Sequence, residues 1–282
     1  MRIELHCHST HSDGSFPPGE VAAWAARTGV RLFCLTDHDT DGGWAATRDV
    51  LADAPCIALR GLELSCREFD RTVHVLLLGL RDGPGLTALH ARLERVHTER
   101  SERLRAICER LARLGIALDP EAILARSHGR TPGRPDVARA LVAAGHCSSF
   151  PDAFTRYLRD GGPADVPLAK LSVAEGVALG CAAGAKASLA HPYTLGSHAL
   201  VDELFARHRA IGLEGIEACY GVQGPAETAQ WLPLAQSLDL VVTAGSDFHG
   251  ELNPLVTQPG RDLPEAHVDR LFGWLELERP RD

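Results

Sequence analysis

The chain has 282 residues, 45% hydrophobic and 23% charged, with a formal charge of −8. That length suits one large barrel or two modest domains, and the composition is that of a soluble globular protein, which excludes extensive disorder. The acidity excludes a general nucleic-acid binder, and no run approaches the roughly 20 apolar residues that span a bilayer.

In chain order, Arg2 to His8 reads as a first strand. Residues two apart in a strand point the same way, so His6 and His8 send both imidazoles into one space. A ligand at position 6 leaves no room for a cleaved signal peptide, and the cytoplasm is the expected location. The chain breaks at Ser12-Asp13-Gly14, where a carboxylate can swing back. Pro17-Pro18 opens a helix that Gly29 ends, and Arg31 to Thr36 is an apolar run of the kind a buried parallel strand shows, delivering Asp37-His38-Asp39. A helix from Trp44 leads to strands at Cys56–Ser65 and Thr72–Leu80, each with one residue out of place for a core, Glu63 and His74.

After Pro84 the pattern turns helical, with Leu93, Val96, Leu104, Ile107, Leu111 and Leu114 at three- and four-residue spacing, and Gly115 and Pro120 as stops. Ten arginines against six acids lie between Arg92 and Arg134, a basic segment in an acidic chain. Residues 100–165 read as a small helical insertion, with 1–99 and 166–282 as the principal domain. Strand and helix then alternate again. A strand at Lys186–Ala190 runs into His191-Pro192, another spans Gly215–Tyr220, and Leu240–Ala244 delivers Gly245-Ser246-Asp247-Phe248-His249.

This alternation implies a parallel sheet. About seven strands with polar residues at their C-terminal ends point to an α/β barrel, a distorted (βα)7 arrangement, since barrels build their sites at one rim. An open doubly wound sheet would gather its ligands at one switch point, and no glycine-rich phosphate loop follows the first strand. His6, His8, Asp13, His38, Glu63, His74, His191, Asp247 and His249 all lie at or just beyond strand ends. Imidazole and carboxylate without thiolate suit manganese, iron, zinc or cobalt, and nine donors exceed what one catalytic ion takes. Two or three divalent ions follow, with Glu63 a natural bridge. The eight cysteines stand singly and read as reduced core residues.

His6-x-His8, Thr36-Asp37-His38, Glu63, His74, His191-Pro192 and Gly245-Ser246-Asp247-x-His249 together resemble the successive motifs of the polymerase and histidinol phosphatase (PHP) family of the amidohydrolase superfamily. The resemblance spans the chain. It implies a distorted seven-stranded barrel with a trinuclear centre, often loaded with manganese, that hydrolyses phosphate esters. It also implies that His6, His8, Glu63 and Asp247 hold one metal, Glu63, His74 and His191 a second, and Asp13, His38 and His249 a third. Asp247 is the candidate for handling the nucleophile's proton, and Asp37 and Asp39 orient His38 or its loop. His11 reads as a turn residue and His128 as a surface one.

The segment Thr131-Pro132-Gly133-Arg134-Pro135-Asp136, with Arg100-x-x-Arg103 before it and Lys170 after it, resembles the subfamily of 3',5'-nucleoside bisphosphate phosphatases and 5'-3' exoribonucleases. The chain carries Asp136 where many members have His. The expected reaction removes the 3'-phosphate of a bisphosphonucleotide, with Arg100, Arg103, Arg130, Arg134 and Lys170 binding the substrate. Arg134 leads because it stands in a Pro-Gly-Arg-Pro turn. The alternatives are an exoribonuclease acting on short 5'-phosphorylated RNA and a non-catalytic module of a polymerase assembly. No membrane or protein partner is expected.

Overall fold

The computed structural model describes residues 1–127, 132–167, 171–221 and 223–280. They form two compact units, Met1–His90 with Leu171–Asp282, and Ala91–Lys170. The strands are β1 (Arg2–Glu4), β2 (Leu32–Leu35), β3 (Ile57–Glu68), β4 (Arg71–Leu78), β5 (Leu171–Ser172), β6 (Lys186–Leu189), β7 (Leu213–Tyr220), β8 (Val241–Gly245) and β9 (Arg261–Asp262). The α-helices are α1 (Pro18–Arg27), α2 (Trp44–Leu51), α3 (Pro84–Arg113), α4 (Pro120–Arg126), α5 (Arg134–Ala143), α6 (Phe150–Ala153), α7 (Val173–Ala182), α8 (His198–His208), α9 (Pro225–Ser237) and α10 (Glu265–Trp274). No described helix is long and apolar enough to cross a membrane.

The first unit is a nearly closed barrel-shaped sheet in the order β8-β7-β6-β4-β3-β2-β1-β9, with β5 added beside β3. Closure comes from the chain after β1, where Leu5 N–H donates to Ala244 O (3.1 Å), Asp247 N–H to His6 O (2.7 Å) and His8 N–H to Phe248 O (2.9 Å). The apolar runs read as strands are strands because they are buried on both faces. Every residue of β2 and β8 is buried, as parallel barrel strands require. β1 is shorter than its hydrophobic pattern suggests, and His6 and His8 lie just past its end.

One expectation is corrected. The barrel is not wholly parallel, since β4 runs antiparallel to both β3 and β6. Glu68 pairs with Arg71 across a two-residue turn in which Phe69 and Asp70 have φ of 49° and 56°. Paired positive φ values give the turn whose twist matches a tight hairpin, and two residues are far too few for a parallel crossover. The reversal has a consequence for function. It brings the start of β4, with His74 opposite Ser65, to the rim where the other strands end.

The second unit is helical. Leu104, Ile107 and Leu111 of α3 pack with Val137 and Leu141 of α5 and with Leu158 in a core of their own. Asp119 caps α4 by accepting from the Glu121 and Ala122 amides. Asp136, at the third position of α5, accepts from Gly133 N–H at 2.9 Å and from Arg139 at 3.0 Å. Its carboxylate therefore closes a helix start, which accounts for its burial.

Candidate metal centre

All nine donors of the barrel converge around Glu63, whose side chain is 1% exposed. Its Oε1 lies 2.9 Å from His74 Nδ1, 3.0 Å from His191 Nε2 and 3.3 Å from His6 Nε2. Its Oε2 lies 2.9 Å from His38 Nδ1 and 3.3 Å from His8 Nε2. Asp247 Oδ1 stands 3.2 Å from His8 Nε2, 3.4 Å from His6 Nε2 and 3.5 Å from His249 Nδ1. Asp13 swings back as its turn suggests, with Oδ1 3.3 Å from His249 Nε2 and Oδ2 3.6 Å from His38 Nε2.

These side chains fit cations better than they fit each other. His6 Nε2, His8 Nε2, His38 Nδ1, Glu63 Oε2 and Asp13 Oδ1 are buried and lack a hydrogen-bond partner. Each such atom costs about 1–3 kcal/mol, and five at one place are a preformed donor set. The donors fall into four overlapping groups, each spanning under 4.8 Å: His8-Asp13-His38-His249, His6-His8-Asp247, His6-Glu63-His191 and His38-Glu63-His74. The groups share His6, His8, His38 and Glu63, so neighbouring cation positions would have ligands in common.

Charge prepares the site. Burial pushes the Glu63 carboxyl up, but the imidazoles of His74, His38 and His6 overcome it and hold Glu63 well below the usual carboxylate range. Asp247 is likewise driven up by burial and further down by His6 and His8. Burial works against the charged form of His8, and the neighbouring carboxylates of Asp247 and Glu63 outweigh it, raising the imidazole to about 10. Cations held here would meet anionic oxygens and would compete with protons for the ring nitrogens.

A second layer of groups aims the donors. Glu217, fully buried on β7, lies 3.0 Å from His6 Nδ1 through each carboxylate oxygen and accepts from His191 N–H at 2.7 Å. Glu4 on β1, also fully buried, accepts from His6 N–H and Ser246 N–H (3.0 Å each) and from the Ser246 hydroxyl. Asp37 accepts from Ser9 N–H, Ser9 Oγ and Ser12 Oγ at 2.6–2.7 Å, fixing the turn that carries Asp13. Asp39 accepts from Ser65 N–H at 2.7 Å. The Tyr220 hydroxyl donates to Asp247 Oδ2 at 2.6 Å. His191 and Asp247 have φ of 28° and 54°, left-handed conformations that cost of order 1–3 kcal/mol and persist when surrounding contacts fix them. Gly245 is required here, because a Cβ would stand 2.3 Å from His6 Cβ. Glu4, Glu217 and Tyr220 escape a search for imidazoles and carboxylates at strand ends, Tyr220 because it ends its strand with a phenol. The signal for the two glutamates is a lone acid inside an apolar strand, the same signal that marks Glu63.

Among the arginines of the second unit, Arg100, Arg103 and Arg134 line one cavity of about 210 Å³ with Phe154. Arg134 is not in a free turn, as its proline neighbours suggest, but is the first residue of α5; proline suits the opening turn of a helix. Its guanidinium donates to Leu158 O (2.9 Å) and Asp160 (2.6 Å). Arg103 donates to Val166 O and, at 3.3 Å, to Asp165, and burial together with the Arg134 charge lowers it from the usual guanidinium range. Arg130, Lys170 and His128 lie outside the described residues.

No protein-family model matches the chain. The chain is 32% identical to a 3',5'-nucleoside bisphosphate phosphatase of Chromobacterium violaceum across 99% of both chains. It is 34% identical to a phosphoribosyl 1,2-cyclic phosphate 1,2-diphosphodiesterase of Eggerthella lenta, over 89% of this chain and 95% of the relative. It is 31% identical to a 5'-3' exoribonuclease of Haemophilus influenzae, over 88% and 90%. Among solved structures, an amidohydrolase from Chromobacterium violaceum superposes with a TM-score of 0.79 at 30% identity, covering 99% and 98% of the two chains. A structure from Bifidobacterium adolescentis assigned to the metal-dependent phosphoesterases gives 0.78 at 27%, covering 96% of each.

Proposed function

This chain belongs to the PHP family of metal-dependent phosphoesterases within the amidohydrolase superfamily, and from that premise we propose that it removes the 3'-phosphate of 3',5'-nucleoside bisphosphates, adenosine 3',5'-bisphosphate among them, releasing the 5'-monophosphate and phosphate. The observation that carries this reading is the gathering of eight further donors around Glu63, with five of the nine offering a buried atom that lacks a hydrogen-bond partner. The substrate assignment rests on the end-to-end similarity to a bisphosphate phosphatase.

In this reading His6, His8, Glu63 and Asp247 hold one cation, Glu63, His74 and His191 a second, and Asp13, His38 and His249 a third. Manganese is the proposed ion, and iron, zinc and cobalt suit the same imidazole and carboxylate donors. Divalent cations bound there supply an acidified water at neutral pH and offset charge on the phosphoryl oxygens. Asp247 handles the proton of the attacking water, its second oxygen being taken by the Tyr220 hydroxyl. Arg100, Arg103 and Arg134, with Arg130 and Lys170, bind the phosphate that is not cleaved, since a guanidinium fork matches a phosphate's oxygens. The enzyme works in the cytoplasm, whose reducing poise suits eight unpaired cysteines.

A second reading, hydrolysis of the first linkage in a short 5'-phosphorylated RNA, is favoured by the likeness to the exoribonuclease. Both are tested by following phosphate and nucleotide release from adenosine 3',5'-bisphosphate, a 5'-phosphorylated dinucleotide and phosphoribosyl 1,2-cyclic phosphate. The expected result is the highest kcat/KM on the bisphosphate, with phosphate and 5'-nucleotide formed in equal amounts. A clear preference for either diester overturns it.

A further inference from the structure

We propose that Glu217 is a positioning residue that sets cation affinity at the centre by holding two ligands at once, His6 through its ring and His191 through its backbone. The inference rests on reading the nine donors as cation ligands and does not depend on the substrate.

Three observations carry it. Glu217 is fully buried yet belongs to none of the donor groups, so its carboxylate has another use. Both of its oxygens lie 3.0 Å from His6 Nδ1. A carboxylate only accepts, so Nδ1 carries the hydrogen, and Nε2 is the ring atom that remains to offer a lone pair to a cation. The same Oε2 accepts from His191 N–H at 2.7 Å, which pins the backbone of that ligand in its left-handed conformation, φ 28°.

His6 belongs to two donor groups and His191 to one of them, so one side chain orders ligands of two cation positions. The surroundings are shaped for it. The pairing of β7 with β8 slips immediately after Glu217, and a Cβ at Gly245 would meet Glu217 Oε1 at 2.8 Å. Glutamine has nearly the same size but one oxygen and no charge. With that oxygen in the place of Oε2 it keeps the His191 amide, and its –NH2, in the place of Oε1, is turned against the His6 ring.

The test is manganese binding to chelator-stripped full-length protein, by competition with a metal indicator, for wild type and Glu217→Gln, with melting temperatures measured with and without manganese. The expected result is an affinity lower by about ten- to a hundredfold for at least one cation, with a smaller manganese-induced rise in Tm than in wild type. A merely structural role would lower both melting temperatures alike and leave affinity within twofold, which overturns the proposal. If the glutamine variant is not recovered folded, Glu217→Asp, which keeps the charge but withdraws it by one methylene, is measured the same way against the same two outcomes. Wild-type protein that binds no manganese overturns this proposal and the metal reading together.

Discussion

The barrel rim and the helical unit hold their polar side chains in different ways. At the rim the donors gather around His6, His8 and Glu63, whose side chains are at most 1% exposed, with His74, His38 and Asp13 further out at 22%, 25% and 38%, and carboxylates outside the donor set fix several of them. In the helical unit, Arg134 and Arg103 are 23% and 14% exposed, and they lean on carbonyls and acids of their own unit, of which Asp160 is 89% exposed. The difference suits the proposed roles. A cation must be met by several atoms within a few tenths of an ångström, which requires donors locked by packing and hydrogen bonds. A phosphate can be met by a fork on a long side chain, which exchanges partners within its own unit for the ligand's oxygens.

The contrast predicts graded losses. The largest belongs to Glu63→Gln, where one change removes the charge and replaces by –NH2 one of the two oxygens on which five imidazoles converge. Turnover on the bisphosphate should fall by roughly a thousandfold or more, since the acidified water contributes several kcal/mol, while the far-ultraviolet circular dichroism stays that of a folded barrel. Activity within a few-fold of wild type would contradict a rim built around that residue.

Next comes Arg134→Ala. A charged hydrogen bond contributes roughly 1.5–3 kcal/mol, so kcat/KM for the bisphosphate should drop about ten- to a hundredfold. Hydrolysis of an aryl phosphate, which has no second phosphate to hold, should barely change. Equal loss on both substrates would mean that Arg134 serves the reacting phosphate or the fold, and the contrast between rim and helices would collapse.

Smaller still is Tyr220→Phe. It frees Asp247 Oδ2 but leaves Oδ1 facing His6 and His8, so kcat should fall about tenfold, the weight of one hydrogen bond to a charged group, with manganese stoichiometry unchanged. A loss as deep as that of Glu63→Gln would show that the outer hydroxyl is as indispensable as the donors themselves.

Much of the rim is legible in the sequence because most donors follow an apolar run that ends near them, as Leu32–Leu35 ends before Thr36-Asp37-His38, and Glu63 and His74 stand out as lone polar residues inside such runs. Residues inside the strands are harder to read. Glu4 and Glu217 carry no strand-end signal, and their meaning depends on Ser246 and His6, partners hundreds of residues away. The reversal of β4 is hidden because Phe69-Asp70 lacks the glycine that usually marks a two-residue hairpin. β5 and β9 are two residues each and exist only through their neighbours. α10 differs, since Val268, Leu271 and Phe272 have readable helical spacing. In the helical unit the arginines are obvious in number, but which of them share a cavity depends on how α3 and α5 pack, and the prolines beside Arg134 read as a turn where they open a helix.

The central claim, that nine side chains of the barrel form one multinuclear cation centre, is tested most directly by elemental analysis of protein purified after growth in manganese. Two or three transition-metal ions per chain are expected, lost together with activity on chelation and restored with it by manganese. At most one ion per chain with undiminished turnover would contradict the account.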